Sequence, residues 1–364
     1  MLLLLATLLA LLIANSMLAP NYHAFWHQHF LHLSLETWVN DGLMAVFFLL
    51  IGLELKKELL IGELSSLNHA LLPTIAAVGG MLVPAWIFWQ FNQGTPYQAG
   101  VGIPMATDIA FALGMLSVLG ARVPASLKVF LVTLAVMDDL GAAVMIAVFY
   151  AASLSLDFLA AALVVLAALY LLNRLRVRSL LPYLLGGAAM WWLTLQSGVH
   201  PTLAGIALAF VIPFGRAHSS ASHVLEKALQ WPVAFLILPV FAFANTGLQI
   251  TPQSLPALFS HPYSFGIIIS LLLGKPVGIT LAAWLAVLTR ICTLPHPLRW
   301  GHIAGVGMLG GIGFTMSIFI TNLAFSGQDE VIQLAKMAIL AGSFFSAMAG
   351  WLWLKAVLPA SRTT

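Results

Sequence analysis

Apolar runs close to 20 residues long recur from one end of this chain to the other, and that length is the tightest constraint on its fold. A helix rises about 1.5 Å per residue, so about 20 apolar residues cross the ~30 Å hydrocarbon core of a bilayer. The runs fall near 1–19, 37–59, 70–91, 100–120, 125–150, 155–173, 179–197, 200–214, 231–249, 265–289, 301–323 and 331–357. Twelve such spans joined by short loops predict an all-α polytopic membrane protein, one transmembrane domain over residues 1–364. Only 7% of residues are charged, against about 25% in a soluble domain, which excludes the soluble class. The bilayer is therefore an expected partner. A net charge of +3 is too small to suggest nucleic acid. Cys292 is the single cysteine, and no His/Glu spacing resembles a zinc site, so no resident cofactor or structural metal is expected. Residues 1–19 lack a basic leader and are long for a cleavable signal, so they read as the first membrane helix. The short eighth run precedes a polar stretch, 219–230, that reads as a surface helix.

Orientation follows from the basic residues. Lys56, Lys57, Arg122, Lys128, Arg174, Arg176, Arg178, Arg216, Lys227, Arg290, Arg299, Lys355 and Arg362 all follow even-numbered spans. That is 13 of the 15 Lys and Arg residues, leaving Lys275 and Lys336. The even-numbered loops and both termini are therefore expected to be cytoplasmic.

Two spans look interrupted. The fourth contains Gly100-Val101-Gly102-Ile103-Pro104-Met105-Ala106-Thr107-Asp108, and the eleventh Gly305-Val306-Gly307 followed by Gly310-Gly311-Ile312-Gly313-Phe314-Thr315. Pro104 removes a backbone donor, and the run at Gly310, Gly311 and Gly313 weakens helix. Both spans begin Gly-Val-Gly and place a threonine beyond the break. They lie seven spans apart, so they cross in opposite directions. Paired interruptions of this kind point to an inverted-repeat transporter with a midplane site.

Four ionisable residues fall deep in spans: Asp108, the adjacent pair Asp138-Asp139, and Lys275. A charge at a membrane centre costs at least about 2.5–3.5 kcal/mol on insertion scales. Neighbours on a helix point about 100° apart, so one partner cannot hide both Asp138 and Asp139. Three acids and one base leave surplus negative charge, which invites a cation, protons, or both in competition. A salt bridge that merely holds helices together needs one acid, not two. For Lys275 and Asp108 that bland role, or neutralising half-helix dipoles, stays open. A second group gathers at the end of span 2, where Glu54 and Glu58 share a helix face at i, i+4 beside Lys57. Glu226 precedes span 9, and His200 opens span 8, where a pH-sensitive role is available.

Four stretches then carry a resemblance: 106–114 (ATDIAFALG), 137–141 (MDDLG), 274–276 (GKP) and 311–317 (GIGFTMS). In order and over about 38–358 they resemble the NhaA-type bacterial Na⁺/H⁺ antiporters, which are themselves type examples of the inverted-repeat architecture. The resemblance implies twelve helices, with spans 4 and 11 unwound and crossing at mid-membrane. It implies an ion site at Asp138 and Asp139 with Thr107 close by, taking Na⁺ or Li⁺ in competition with H⁺. It implies that Lys275 pairs with Asp138 when the site is empty and, with Asp108, balances the half-helix dipoles. It also implies pH sensing by Glu54, Lys57, Glu58, Glu226 and His200, electrogenic exchange, and a place in the bacterial inner membrane. The 20–36 loop shows no clear β-hairpin of the kind family dimers use, which leaves a homodimer only one possible assembly. The sequence-level rivals are an intramembrane aspartyl protease, an organic-anion carrier using Lys275, and a channel. Adjacency of Asp138 and Asp139 on one helix speaks against the protease, which needs facing carboxylates.

Overall fold

The computed structural model describes residues 2–65, 67–150, 154–215 and 220–359. Arg216, Arg362 and the start of the expected 219–230 surface helix lie outside the described residues. Helix dominates: six helices are long and apolar enough to cross a membrane, or nine if each of three bent pairs counts as one, among the described residues. Met44–Leu60 and Leu181–Ser197 have 17 residues each, and Thr202–Val211 has 10. By contacts the chain forms two compact units, 1–62 with 145–249 and 63–144 with 250–364.

In the first unit, Leu2–Ala14 turns through 118° into Ala19–Trp26, so the expected single span 1–19 ends early. Asn15 explains the stop: its side-chain amide donates to Leu11 O at 2.8 Å and to Leu248 O at 2.7 Å, competing with the helix's own bonds. The 20–36 loop does contain a small β-hairpin, contrary to expectation. His29 pairs with Ser34 and Phe30 with Leu33, and Leu31 and His32 take positive φ (49° and 68°) in the turn. Two-residue hairpins favour that left-handed pair, but usually announce it with Asn or Gly, and this turn has neither. Met44–Leu60 packs on Thr202–Val211 at glycines. A Cβ on Gly52 would lie 2.7 Å from the Ala209 Cβ, and one on Gly205 would strike the Ala45 carbonyl. The expected surface helix and ninth span are one element: Ala221–Asn245 is a continuous run, with a π-helical turn at Val233–Ile237 directly after Pro232. Pro232 cannot donate a backbone bond, and the wider turn absorbs the mismatch without ending the helix.

In the second unit both expected interruptions are present. Pro96–Met105 is a 3₁₀ helix, Ala106 to Asp108 is non-helical, and Ile109–Val118 resumes as α-helix bent by 42°. Trp300–Gly310 and Phe314–Ala324 are bent by 46° around Gly311 to Gly313. Asp138 and Asp139 lie on Ala125–Phe149, and Lys275 directly follows a π turn, Ser270–Gly274, inside Pro262–Leu288. Leu67–Asn92 packs against Lys275–Leu288 where Gly79 meets Gly278, so the two backbones nearly touch.

Candidate ion site at two interrupted helices

The site is built wholly within the second unit. Asp108 sits at the break of the first interrupted span, and its backbone and side chain both serve the second. Its N–H donates to Ile312 O at 2.6 Å, while Oδ1 accepts from Phe111 N–H at 2.9 Å. Oδ2 accepts from Thr315 N–H at 3.2 Å and from the Thr315 hydroxyl at 2.5 Å. One carboxylate therefore caps the N-termini of two half-helices, where unsatisfied N–H groups and the positive helix end favour an anion. Thr107 reaches the opposite way, its hydroxyl 2.9 Å from Gly310 O, the last carbonyl of Trp300–Gly310. Ser317 adds a bond to Ile103 O at 2.7 Å. The two breaks thus satisfy each other's orphaned backbone groups, which an apolar bilayer could not do.

Asp138 and Lys275 are both fully buried, with Lys275 Nζ 2.5 Å from Asp138 Oδ2. Thr107 Oγ1 lies 2.6 Å from the same oxygen, and Lys275 Nζ 2.9 Å from Thr107 Oγ1. Oδ2 takes all of this traffic. Oδ1, also buried, accepts no hydrogen bond among the described residues. Asp139, 1% exposed, occupies the next helical position, about 100° round. The available oxygens are carboxylate, hydroxyl and backbone carbonyl, the donor set that hard cations prefer. Among the described residues no group of three or more His, Cys, Asp or Glu is arranged to hold a metal ion. Gly311 lets the second break sit against the Leu271 carbonyl and the Ser346 hydroxyl, where a Cβ would collide. Gly310 and Gly313 are similarly crowded, by Ile279 and Ser317.

The second predicted group assembles in the first unit. Lys57 Nζ lies 2.8 Å from Glu226 Oε1, and Glu54 feels the charges of Glu226, Lys57 and Glu58. His200 does not join it. Its Nε2 is 3.4 Å from Asp41 Oδ1 and its Nδ1 2.7 Å from Thr202 Oγ1. Asp41 and Lys57 are 16 helical residues apart, about 24 Å. Two further charged side chains take part in the first unit. Asp41 is an acid inside span 2 and could have been flagged by that alone. Lys56 is buried, and its ammonium donates to Ala209 O (3.2 Å), Phe210 O (2.7 Å) and Ile212 O (2.6 Å), capping the C-terminus of Thr202–Val211. Its place beside Lys57 made it look like another cytoplasmic loop charge.

Apolar spans, two interrupted helices that complete each other, and a buried acid–lysine pair at their meeting point define a multi-pass membrane transporter. Comparison with known families sharpens the class. The family described as Na⁺/H⁺ antiporter 1 matches residues 1–354. A relative from Dechloromonas aromatica, named Na(+)/H(+) antiporter NhaA, is 58% identical over 97% of this chain and 92% of its own length. Na(+)/H(+) antiporter NhaA 1 of Flavobacterium johnsoniae is 52% identical over 100% of this chain and 95% of its own. The protein of the same name from Pseudomonas syringae pv. syringae is 51% identical over 96% and 90%. The chain belongs to the Na⁺/H⁺ antiporter 1 family.

Proposed function

We propose that this chain is an electrogenic antiporter that exports Na⁺, or Li⁺, in exchange for H⁺ by alternating access, with the two ions competing at Asp138 and Asp139. The observation that carries the site assignment is the buried Lys275–Asp138–Thr107 network at the two breaks. In the empty site Lys275 neutralises Asp138. Na⁺ entering from the cytoplasm takes the carboxylate oxygens of Asp138 and Asp139 with the Thr107 hydroxyl, and breaks the Lys275 pair. Asp108 stays out of this exchange, holding the half-helix ends together. On the other side protons displace Na⁺ and the protonated form returns. More protons enter per cycle than Na⁺ leaves, which makes the exchange electrogenic.

The wider arrangement belongs to the same reading. Counting Met44–Leu60, Leu181–Ser197 and Thr202–Val211 as spans beside the nine long or bent ones gives twelve. These form one transporter domain over 1–364 with an inverted repeat centred on the two interrupted spans. The protein lies in the bacterial inner membrane with both termini cytoplasmic. The Lys57–Glu226 pair with Glu54 and Glu58, and separately His200 with Asp41, adjust exchange to pH. The small hairpin at His29–Phe30 and Leu33–Ser34 supports a homodimer by strand addition between copies.

The test is proton flux in sealed proteoliposomes carrying an imposed ΔpH, with Na⁺, Li⁺ or K⁺ added between about pH 6.5 and 9. Na⁺ and Li⁺ should collapse ΔpH, and Asp138→Asn or Asp139→Asn should abolish the response while leaving a monodisperse, folded protein. Full Na⁺-dependent exchange in Asp139→Asn would overturn the site assignment.

A further inference from the structure

The Thr107 hydroxyl carries one proton and faces two acceptors, Asp138 Oδ2 at 2.6 Å and Gly310 O at 2.9 Å. Lys275 Nζ, at 2.9 Å, already donates to its oxygen. Thr107 is itself completely buried, so no water competes for the proton. The two bonds are therefore alternatives. Gly310 O ends the half-helix Trp300–Gly310 and lacks an intrahelical partner by position, so it depends on a donor from across the break. The other ties between the breaks face no such choice. Asp108 N–H has Ile312 O, the Thr315 hydroxyl has Asp108 Oδ2, and the Ser317 hydroxyl has Ile103 O.

We infer that Thr107 is a coupling residue as well as a ligand: its proton lies on Asp138 when the site is empty and moves to Gly310 O when Na⁺ arrives. This rests on the proposal that Asp138 is part of the Na⁺ site. A cation there takes the negative charge of Asp138 and a lone pair of Thr107 Oγ1. An oxygen coordinating a cation turns its proton away from it, and Gly310 O is the acceptor within reach. Occupancy of the site thus adds one hydrogen bond to those that already tie the two interrupted helices, and stiffens the crossing as a unit. No covalent bond changes; only the hydroxyl rotates.

A coupling role shows in the maximal rate, whereas a ligand role alone shows in affinity. In proteoliposomes, Thr107→Ser, which keeps the hydroxyl, should recover most of the maximal Na⁺/H⁺ exchange rate that the hydroxyl-less variant loses. Thr107→Val keeps the shape without the hydroxyl. It should lower the maximal rate at saturating Na⁺ by about tenfold or more, the size of one buried hydrogen bond, besides raising the KM for Na⁺. A raised KM with the wild-type maximal rate would overturn the coupling role and leave Thr107 a ligand only. A wild-type protein with no Na⁺-dependent exchange would instead sink the antiporter reading itself. If Thr107→Val is unfolded or silent at every Na⁺ concentration, wild type decides alone. Amide hydrogen exchange across 310–315, compared in Na⁺ and choline at one pH, should slow with Na⁺. Unchanged exchange there would overturn the inference.

Discussion

At the scale of single residues, the decisive object is the Lys275–Asp138 pair, both partners without solvent exposure. Its net stabilising value is small, because desolvating two charges consumes most of their attraction, but breaking it one-sidedly is expensive. Lys275→Ala should destabilise the protein by about 3–5 kcal/mol, read as a lowered midpoint of thermal unfolding in detergent. Adding Asp138→Asn should restore much of the loss, since no uncompensated charge then remains; an additive double variant would contradict the pairing. Thr315→Val removes a hydroxyl from the Asp108 carboxylate and should cost about 1–3 kcal/mol by the same measurement. Asp108, Asp138, Asp139 and Lys275 were legible because a charge inside a long apolar run stands out whatever surrounds it. The partner each one chooses is not written in the residues themselves; for Lys275 only the family resemblance pointed to Asp138. Lys56 shows the limit, since its targets are three backbone carbonyls, and carbonyls carry no sequence signature.

At the scale of elements, helix breaks and close approaches were legible where proline or glycine marks them. Pro104 and the glycines at 310–313 placed both interruptions. What the residues did not disclose is that the first half-span would be ten residues of 3₁₀ helix, Pro96–Met105, an unusual length. Its Ile103 carbonyl accepts from the Ser317 hydroxyl of the other break, a tertiary effect. The hairpin at 29–34 was missed for the opposite reason: its turn residues, Leu31 and His32, are poor hosts for positive φ, so no local preference advertises it. Close approach yields a prediction here. Gly205→Val would drive a side chain into the Ala45 carbonyl, and backbone cannot step aside as a flexible side chain can. It should lower stability by about 1–3 kcal/mol or more, read by thermal unfolding, with the loss arising in the Met44–Leu60 and Thr202–Val211 pair.

At the scale of the molecule, charge placement supports two predictions. Thirteen of 15 basic residues follow even-numbered apolar runs of the sequence, so a C-terminal tag should be protease-sensitive in inverted membrane vesicles and protected in intact cells. The opposite pattern would refute the orientation. The Lys57–Glu226 pair joins two elements of the first unit at a partly exposed position. Glu226→Gln removes the carboxylate that holds Lys57, so the pH dependence of exchange should move while the maximal rate persists. An unaltered pH profile from about 6.5 to 9 would overturn the proposed pH role of Glu226.

Composition and residue order are enough to fix the apolar solvent, the two interruptions and the presence of costly buried charge. Each of these follows from transfer free energies and backbone preferences that act residue by residue along the chain. Residue patterns left open which acid holds Lys275; the family resemblance pointed to Asp138, and the fold bears that pair, while the double cap made by Asp108 and the single hydroxyl serving two acceptors emerge from three-dimensional packing alone. Those choices depend on distances of 2.5–3 Å between segments as far apart as residues 108 and 315. Hydrogen bonds fall off steeply over a few tenths of an ångström, and composition and periodicity carry no such information.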